Sequence, residues 1–299
     1  MVDALWLVRE RALANTDMAT IRELETGPAL EWDAACYDGC QPTSPRPMQK
    51  MQVFVPRQST YPAYFLAEVL TITNDLTVPY VETMVFTRAS TSLPWMLNFD
   101  TGYSEIPTMS EQSEVDAQGF DAPAPSFTGV TVSDLPGELA AYWQTWKDTG
   151  AAPPGARFEG GTWTNEWGPY IYNYAQELTS EGLSEAATYS ADPSQDGQWT
   201  FAIDDMVGDQ LVDGMALSCG TVRFTSVISA LSGYTITQPV DQSTWSDLLP
   251  AGTYSQLTRV GLRQSCFLLQ PGSASIGVVG GNGGDTKITG IPAGESNTL

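Results

Sequence analysis

The chain contains no histidine, and lysine is almost as scarce. Of its 299 residues, only Lys50, Lys147 and Lys287 are lysines. The missing imidazole excludes the usual general base, the Ser-His-Asp and Cys-His nucleophile systems, and every metal site that contains histidine. Any catalysis would have to use carboxylates, tyrosine, lysine or serine. The sequence therefore predicts no metal and no cofactor.

Positive charge is also in short supply. The chain has 13 lysines and arginines against 35 aspartates and glutamates, which gives a formal net charge of −22. A surface of this charge repels phosphate backbones and anionic membranes. We therefore expect no nucleic-acid partner. The partners that remain are a small ligand, a glycan or a protein of the cell envelope.

Cysteine is rare, but its placement is informative. Four cysteines allow three pairings. Their spacing favours a small loop closed by Cys36 and Cys40 and a long-range bridge between Cys219 and Cys266, each near the middle of a β-branched, alternating run. The long bridge would stabilise the fold by about 3–4 kcal/mol and indicates an oxidising, extracellular or cell-surface location. The alternative is four reduced, buried thiols in a cytosolic protein.

The sequence shows neither a transmembrane run nor a signal peptide. Met1 leads directly into the amphipathic segment from Asp3 to Ala14, where a signal peptide would have an uninterrupted apolar run. Given the cysteines, we expect that Met1 replaces an export segment and that the full-length protein has a possible lipid anchor.

Hydrophobic periodicity predicts the same order of elements twice, helices first and antiparallel strands afterwards, which is an α+β pattern. Gly27-Pro28 is expected to break the second helix, and one long helix is predicted from Trp167 to Tyr189. The predicted strands are Met51–Val55, Tyr64–Thr73, Tyr80–Ser90, Trp95–Phe99, Gln198–Asp204, Met215–Ser229, Ser255–Leu269 and Ala274–Gly280.

A stretch rich in proline and small residues divides the chain. Residues 120–137 lack periodicity, so we interpret them as a linker between a first domain, residues 1–119, and a second, residues 138–290. Residues 291–299 are predicted to be a flexible tail. The alternative is a long ordered loop inside a single domain.

The order of helix, helix and long antiparallel strands resembles the cone-shaped nuclear-transport-factor-2-like fold, related to cystatin-like rolls, in two copies. Four stretches are similar to uncharacterised secreted or lipid-anchored proteins of actinobacteria. They are Leu5–Ala35, Cys219 in Ala-Leu-Ser-Cys-Gly, Trp245 with Leu248–Tyr254, and Gly261–Cys266. This resemblance implies two rolls and export, and it offers no catalytic residue.

One carboxylate in a predicted strand is a candidate for chemistry. Alternation places Glu68 on the same strand face as Leu66 and Leu70. If that face lines the hollow of a roll, Glu68 would be a desolvated carboxylate suited to acid-base work or to holding a cation. The alternative is a residue that faces water on a mixed strand.

An aromatic cluster is the candidate for ligand binding. Such rings could stack on sugars, although helical spacing turns Trp167 and Tyr174 towards the core, which leaves Trp163 and Tyr170 as the predicted ligand-binding residues. The full cluster is Trp163, Trp167, Tyr170, Tyr172 and Tyr174.

Three acidic or glycine-rich stretches have simpler explanations. Asp204 and Asp205 end a predicted strand and point to opposite faces, so they cannot pair with each other. The segment from Asp192 to Gly197 lacks the ligand spacing of a calcium loop and is predicted to be a turn. Gly280–Asp285 is predicted to be a hairpin turn.

Three hypotheses follow. The first is an exported, non-enzymatic module that binds a small ligand, a glycan or a partner protein. The second is a carboxylate-dependent hydrolase with a cavity around Glu68, which would need two acids about 5 to 10 Å apart. The third is a structural pair of domains that acts as a spacer.

Overall fold

The computed structural model describes residues 2–36, 44–72, 79–102, 109–112, 115–193, 199–207, 210–238 and 248–294. These residues form a mixed α+β architecture in which the sheets are antiparallel. This confirms the predicted α+β class. No helix in these ranges is long and apolar enough to cross a membrane.

The first half begins with three helices and continues as a four-stranded antiparallel meander in the order β1-β2-β3-β4. The predicted break at Gly27-Pro28 is confirmed, since one helix ends at Leu24 and the next begins at Gly27. The elements are α1 (Val2–Ala14), α2 (Met18–Leu24), α3 (Gly27–Ala35), β1 (Met48–Phe54), β2 (Ala63–Thr71), β3 (Tyr80–Arg88) and β4 (Met96–Asp100).

The second half contributes two helices and the strands of a larger sheet, which also takes in the short strand β5 (Glu111–Gln112). The helices are α4 (Leu135–Thr149) and α5 (Trp167–Ser180), and a π-helical turn, Thr162–Glu166, precedes α5. The strands are β6 (Leu183–Ala191), β7 (Trp199–Val207), β8 (Gln210–Ala230), β9 (Ile236–Gln238), β10 (Gly252–Leu269), β11 (Ile276–Asn282) and β12 (Asp285–Pro292).

Two long antiparallel strands, β8 and β10, form the middle of this sheet. Cys219 and Cys266 lie directly opposite each other in the pair, with their Cα atoms 4.0 Å apart, and their sulfurs are bonded. The predicted long-range disulfide is therefore confirmed. Cys36 is also disulfide-bonded, whereas Cys40 lies outside the described residues.

Each long strand is flanked on its outer edge by two shorter strands placed end to end. Strands β7 and β6 pair with successive parts of β8, and β11 and β12 pair with successive parts of β10. The predicted hairpin at Gly280–Asp285 is therefore wrong. Gly283 and Gly284 carry the chain along one edge of β10, where the amide of Leu262 donates to the carbonyl of Gly284 over 3.0 Å.

The predicted long helix from Trp167 to Tyr189 is wrong in its second portion. Helix α5 ends at Ser180, and the chain turns at Gly182, whose φ of +77° is in the left-handed region. A Cβ on Gly182 would lie 2.3 Å from the ring of Tyr234. The following residues, which include threonine and tyrosine, form β6 because they pair with β8.

The layers stack as helices, sheet, sheet, helices. One face of the first sheet packs Phe65 and Val69 against Trp6 of α1, and one face of the second sheet packs against α4. The remaining faces meet in a shared hydrophobic cluster that contains Leu66 and Phe201. The segment 120–137 also contributes apolar side chains to the core beneath α4. The proposed division into two domains stays a prediction.

Candidate ligand site beneath the fifth helix

A cavity of about 240 Å³ lies between helix α5 and the outer face of the second sheet. Its lining combines aromatic rings with two arginines and two carboxylates. The lining residues are Trp167, Tyr170, Ile171, Tyr174, Glu185, Tyr189, Phe224, Ser226, Arg259, Arg263, Gly284 and Asp285.

The strand registers explain why these side chains converge. Ser226 lies opposite Arg259, and Phe224 lies opposite both Tyr189 and Gly261. The side chains of directly opposed residues in antiparallel strands point to the same side of the sheet. Along each strand, the side chains of alternate residues also point to one side. Three strands therefore present one continuous floor to α5.

Gly261 creates space in this floor. A Cβ at this position would lie 2.1 Å from the carbonyl oxygen of Gly284 and 2.3 Å from the ring of Phe224. Real side chains cannot approach so closely, so the glycine allows the aromatic ring and the edge strand to meet over bare backbone. Gly261 thus helps to set the shape of the cavity.

Helix α5 supplies the roof as a ladder of rings. Trp167, Tyr170 and Tyr174 follow each other at spacings of three and four, which places them on one helix face. The centroids of Trp167 and Tyr170 are 4.9 Å apart and those of Tyr170 and Tyr174 are 6.3 Å apart, both stacked. Tyr170 is 54% exposed and forms the accessible edge of the ladder.

The first cavity arginine, Arg259, is fully engaged. Its guanidinium binds the carboxylate of Asp285 through contacts of 2.9 and 3.1 Å and donates to the hydroxyl of Tyr174 over 3.1 Å. Burial raises the pKa of Tyr174, so its hydroxyl stays protonated at neutral pH. This arginine builds the wall of the cavity.

The second cavity arginine, Arg263, is in a different situation. It makes no hydrogen bond and no ion pair with any residue that the structure describes, and its buried Nε has no partner there. Its guanidinium instead lies 4.4 Å from the ring centroid of Trp167 and 5.6 Å from that of Trp163. Burial lowers the pKa of Arg263 to about 10, so the group remains a cation at neutral pH.

The two predicted ligand-binding residues, Trp163 and Tyr170, both lie near the cavity beneath α5, but only Tyr170 lines it. Tyr170 lines the cavity, while Trp163 is half-buried behind it, with its ring against the backbone of Gly281. Sequence reasoning missed Arg263, because nothing in the pattern of strand β10 distinguishes it from Arg259. The pairing register supplies that information.

Glu68 lies elsewhere. Its strand face points between the two sheets, the side chain is fully buried, and its carboxylate accepts hydrogen bonds from the backbone amide and the hydroxyl of Ser110, at 2.7 and 2.8 Å. It does not line the cavity beneath α5. These contacts hold the chain after the first sheet in place. A catalytic role for Glu68 stays a prediction.

The other acidic candidates have structural surroundings where they can be described. Strand β7 continues through Asp204 and Asp205 to Val207, and the side chains of the two aspartates lie outside the described part of the chain. Asp192 is buried and binds Arg223 over 2.7 Å, while Asp196 lies outside the described residues.

Comparison with known families gives one result. The model of a family described as "Domain of unknown function (DUF8094)" matches residues 2–203, which is more than half of the chain. The chain belongs to the DUF8094 family. Neither the curated proteins nor the solved structures contain a match. The DUF8094 match includes helix α5 and its aromatic ladder, and it ends before Arg263.

The DUF8094 region also contains a buried charge cluster that the sequence did not reveal. Arg9 of α1 binds Glu25, Asp33 and Asp100 at 2.5 to 2.8 Å, and Arg46 binds Glu10 over 2.6 Å. Both guanidinium groups also contact Glu82, at 3.3 and 2.7 Å.

Two cations cannot neutralise the five carboxylates of this cluster. Burial raises the pKa of Glu82, Glu25 and Asp33, so the cluster retains protons above the ordinary range of carboxylic acids. Its charged groups bind mainly one another, and it joins the three N-terminal helices to the first sheet. We interpret it as structural.

Proposed function

We propose that this protein is a non-enzymatic binding module that holds a small, ring-containing ligand in the cavity beneath α5. The observation that carries the proposal is the ladder of Trp167, Tyr170 and Tyr174 over an open, partly polar floor. Aromatic faces give a ring-shaped ligand large contact area at little cost in conformational entropy. At about 240 Å³ the cavity suits a ligand of one or two rings.

The chemistry of the cavity supports binding over turnover. Asp285 is neutralised by Arg259, and Glu185 accepts a hydrogen bond of 2.5 Å from the hydroxyl of Ser226. A general acid or base needs a free position beside the reacting atom, whereas these carboxylates already have partners. The sequence offers no histidine to replace them.

The cellular setting belongs to the same proposal. The disulfide between Cys219 and Cys266 supports an exported protein, because such bonds persist in oxidising compartments. We also propose that the two helix-then-sheet halves are nuclear-transport-factor-2-like rolls. In support, each half places its helices on one face of an antiparallel sheet.

Two tyrosines of α5 test the proposal. A library of one- and two-ring compounds is screened by thermal shift on the intact protein, and each hit is titrated against the variants Tyr170→Ala and Tyr172→Ala. Tyr170 lines the cavity and Tyr172, two residues away, does not. We expect Tyr170→Ala to weaken binding about tenfold, as loss of an aromatic contact does, and Tyr172→Ala to leave it unchanged. Hits that are equally insensitive to both changes would rule out this cavity.

A further inference from the structure

The cavity contains one cation whose natural counter-charge is missing from the described protein. Arg259 and Arg263 lie four residues apart on β10 and face the same cavity, yet of the two only Arg259 forms a salt bridge with a carboxylate in the part of the chain that the structure describes. The guanidinium of Arg263 is half-buried, and its buried Nε has no partner among the described residues, so its desolvation is not compensated there. A ligand that supplies the opposite charge is one reason why proteins retain such groups.

We propose that Arg263 binds the carboxylate of a monoanionic ligand whose ring stacks against the ladder on α5. This inference rests on the proposed function and names the class of ligand. A guanidinium offers a planar pair of donors that matches a carboxylate. The rings of Trp163 and Trp167 lie against the guanidinium without accepting its hydrogen bonds, so its N–H donors remain available to a ligand.

The other charges of the cavity restrict the ligand to one negative charge. Glu185 and Asp285 both line the same space. Asp285 is neutralised by Arg259, whereas Glu185 forms no salt bridge with any described residue and accepts a hydrogen bond from the hydroxyl of Ser226. A second negative charge on the ligand would be repelled by Glu185, which forms no salt bridge among the described residues. Monocarboxylates are thus favoured over phosphate monoesters and dicarboxylates.

Two sources share this chemistry, aromatic acids and uronic sugar acids. Calorimetric titrations of the intact protein with phenylacetate and with glucuronate distinguish them. Phenylacetamide and glucuronamide are the matched neutral controls, and phenyl phosphate is the control for a second charge. We expect one of the acids to bind about 10- to 100-fold more tightly than its amide, the range for a charge-assisted hydrogen-bonded pair. Phenyl phosphate is expected to bind more weakly than phenylacetate.

The variant Arg263→Met assigns the effect to this residue. It removes the charge and keeps an apolar stem beside the two tryptophans, and we expect it to abolish the preference for acid over amide. The variant Glu185→Gln is expected to improve the binding of phenyl phosphate.

The outcomes separate the two proposals. Equal binding of acid and amide, or a preference that survives in Arg263→Met, overturns the carboxylate inference and leaves the cavity as a site for neutral rings. Failure of every acid and amide to bind overturns the proposed function, and the inference with it. The acid-to-amide ratio of the unaltered protein is informative even if a variant does not fold.

Discussion

At the level of single residues, the two cavity arginines are expected to affect the free energy of unfolding in opposite ways. Arg263 is half-buried and forms no salt bridge with any described residue, whereas Arg259 neutralises Asp285, whose side chain is only 8% exposed. Removing a partly buried charge that has no counter-ion relieves part of its desolvation cost, while removing one partner of a buried pair leaves the other unpaired.

We therefore predict opposite effects for the same substitution at these two positions. Arg263→Met should leave the free energy of unfolding within about 1 kcal/mol of the parent or raise it, and Arg259→Met should lower it by about 3–5 kcal/mol. Urea unfolding followed by circular dichroism measures both. A large loss for Arg263→Met would mean that this guanidinium has a protein partner.

Gly261 gives a second prediction at this scale. A Cβ there would collide with the carbonyl of Gly284 and the ring of Phe224, so Gly261→Ala should displace the edge strand and lower the free energy of unfolding by about 1–3 kcal/mol. Gly272→Ala is not a fair control because its φ is positive. Gly137→Ala is the matched control. Gly137 lies in α4 with open space around it, so this substitution should be neutral or stabilising. Equal effects of the two changes in thermal unfolding would contradict the crowding at Gly261.

At the level of elements, the pair of long strands depends on its cross-link. The disulfide spans 47 residues of sequence, and the chain-entropy model assigns such a loop about 3–4 kcal/mol. Cys219→Ala combined with Cys266→Ala should lower the free energy of unfolding by about this amount. Reducing agent should destabilise the parent more than the double variant, and an equal effect on both would show that this bond contributes little.

The elements were largely predictable from the sequence where local signals are strong. The strands around Cys219 and Cys266, the break at Gly27-Pro28 and the two-residue alternation in β2 follow from side-chain period and turn chemistry. The long helix through Gly182 was wrong because threonine and tyrosine fit either structure locally, and pairing with β8 decides between them.

The candidate site was predictable only in part. Tyr170 follows from helical spacing and aromatic content. The difference between Arg259 and Arg263 depends on the partners that β12 and α5 bring to each, and the hairpin prediction at Gly283-Gly284 obscured the position of β12. Distinguishing these two arginines therefore requires the contacts between residues that are distant in sequence, which the sequence pattern does not supply.

At the level of the whole molecule, the buried charge cluster predicts an unusual dependence of stability on pH. Burial raises the pKa of Glu82, Glu25 and Asp33 in the folded protein, so the folded state keeps protons that the unfolded chain loses above about pH 4.5. Its stability should therefore fall as pH rises from about 5 towards neutrality, which is the reverse of ordinary acid sensitivity. Hydrogen bonds lower the pKa of Asp17 and Asp116, so these two carboxylates change the pH dependence of stability only below about pH 4.

Glu82→Gln tests this account through the slope of unfolding free energy against pH. The neutral amide removes one of the titrating groups, so the slope between pH 5 and about 7.5 should become shallower. Glu23→Gln, at an exposed position on α2, is the matched control and should leave the slope unchanged. Identical slopes in Glu82→Gln and the parent would show that protonation of Glu82 does not contribute to the pH dependence of stability.

The most direct test of binding beneath α5 is a nitrogen-proton NMR titration that follows the indole N–H signals. Adding the preferred ring carboxylate should shift the signals of Trp163 and Trp167, which flank Arg263, and leave that of Trp6 in the first half unmoved. Saturable binding that moves Trp6 and leaves Trp163 and Trp167 at their original positions would contradict the account.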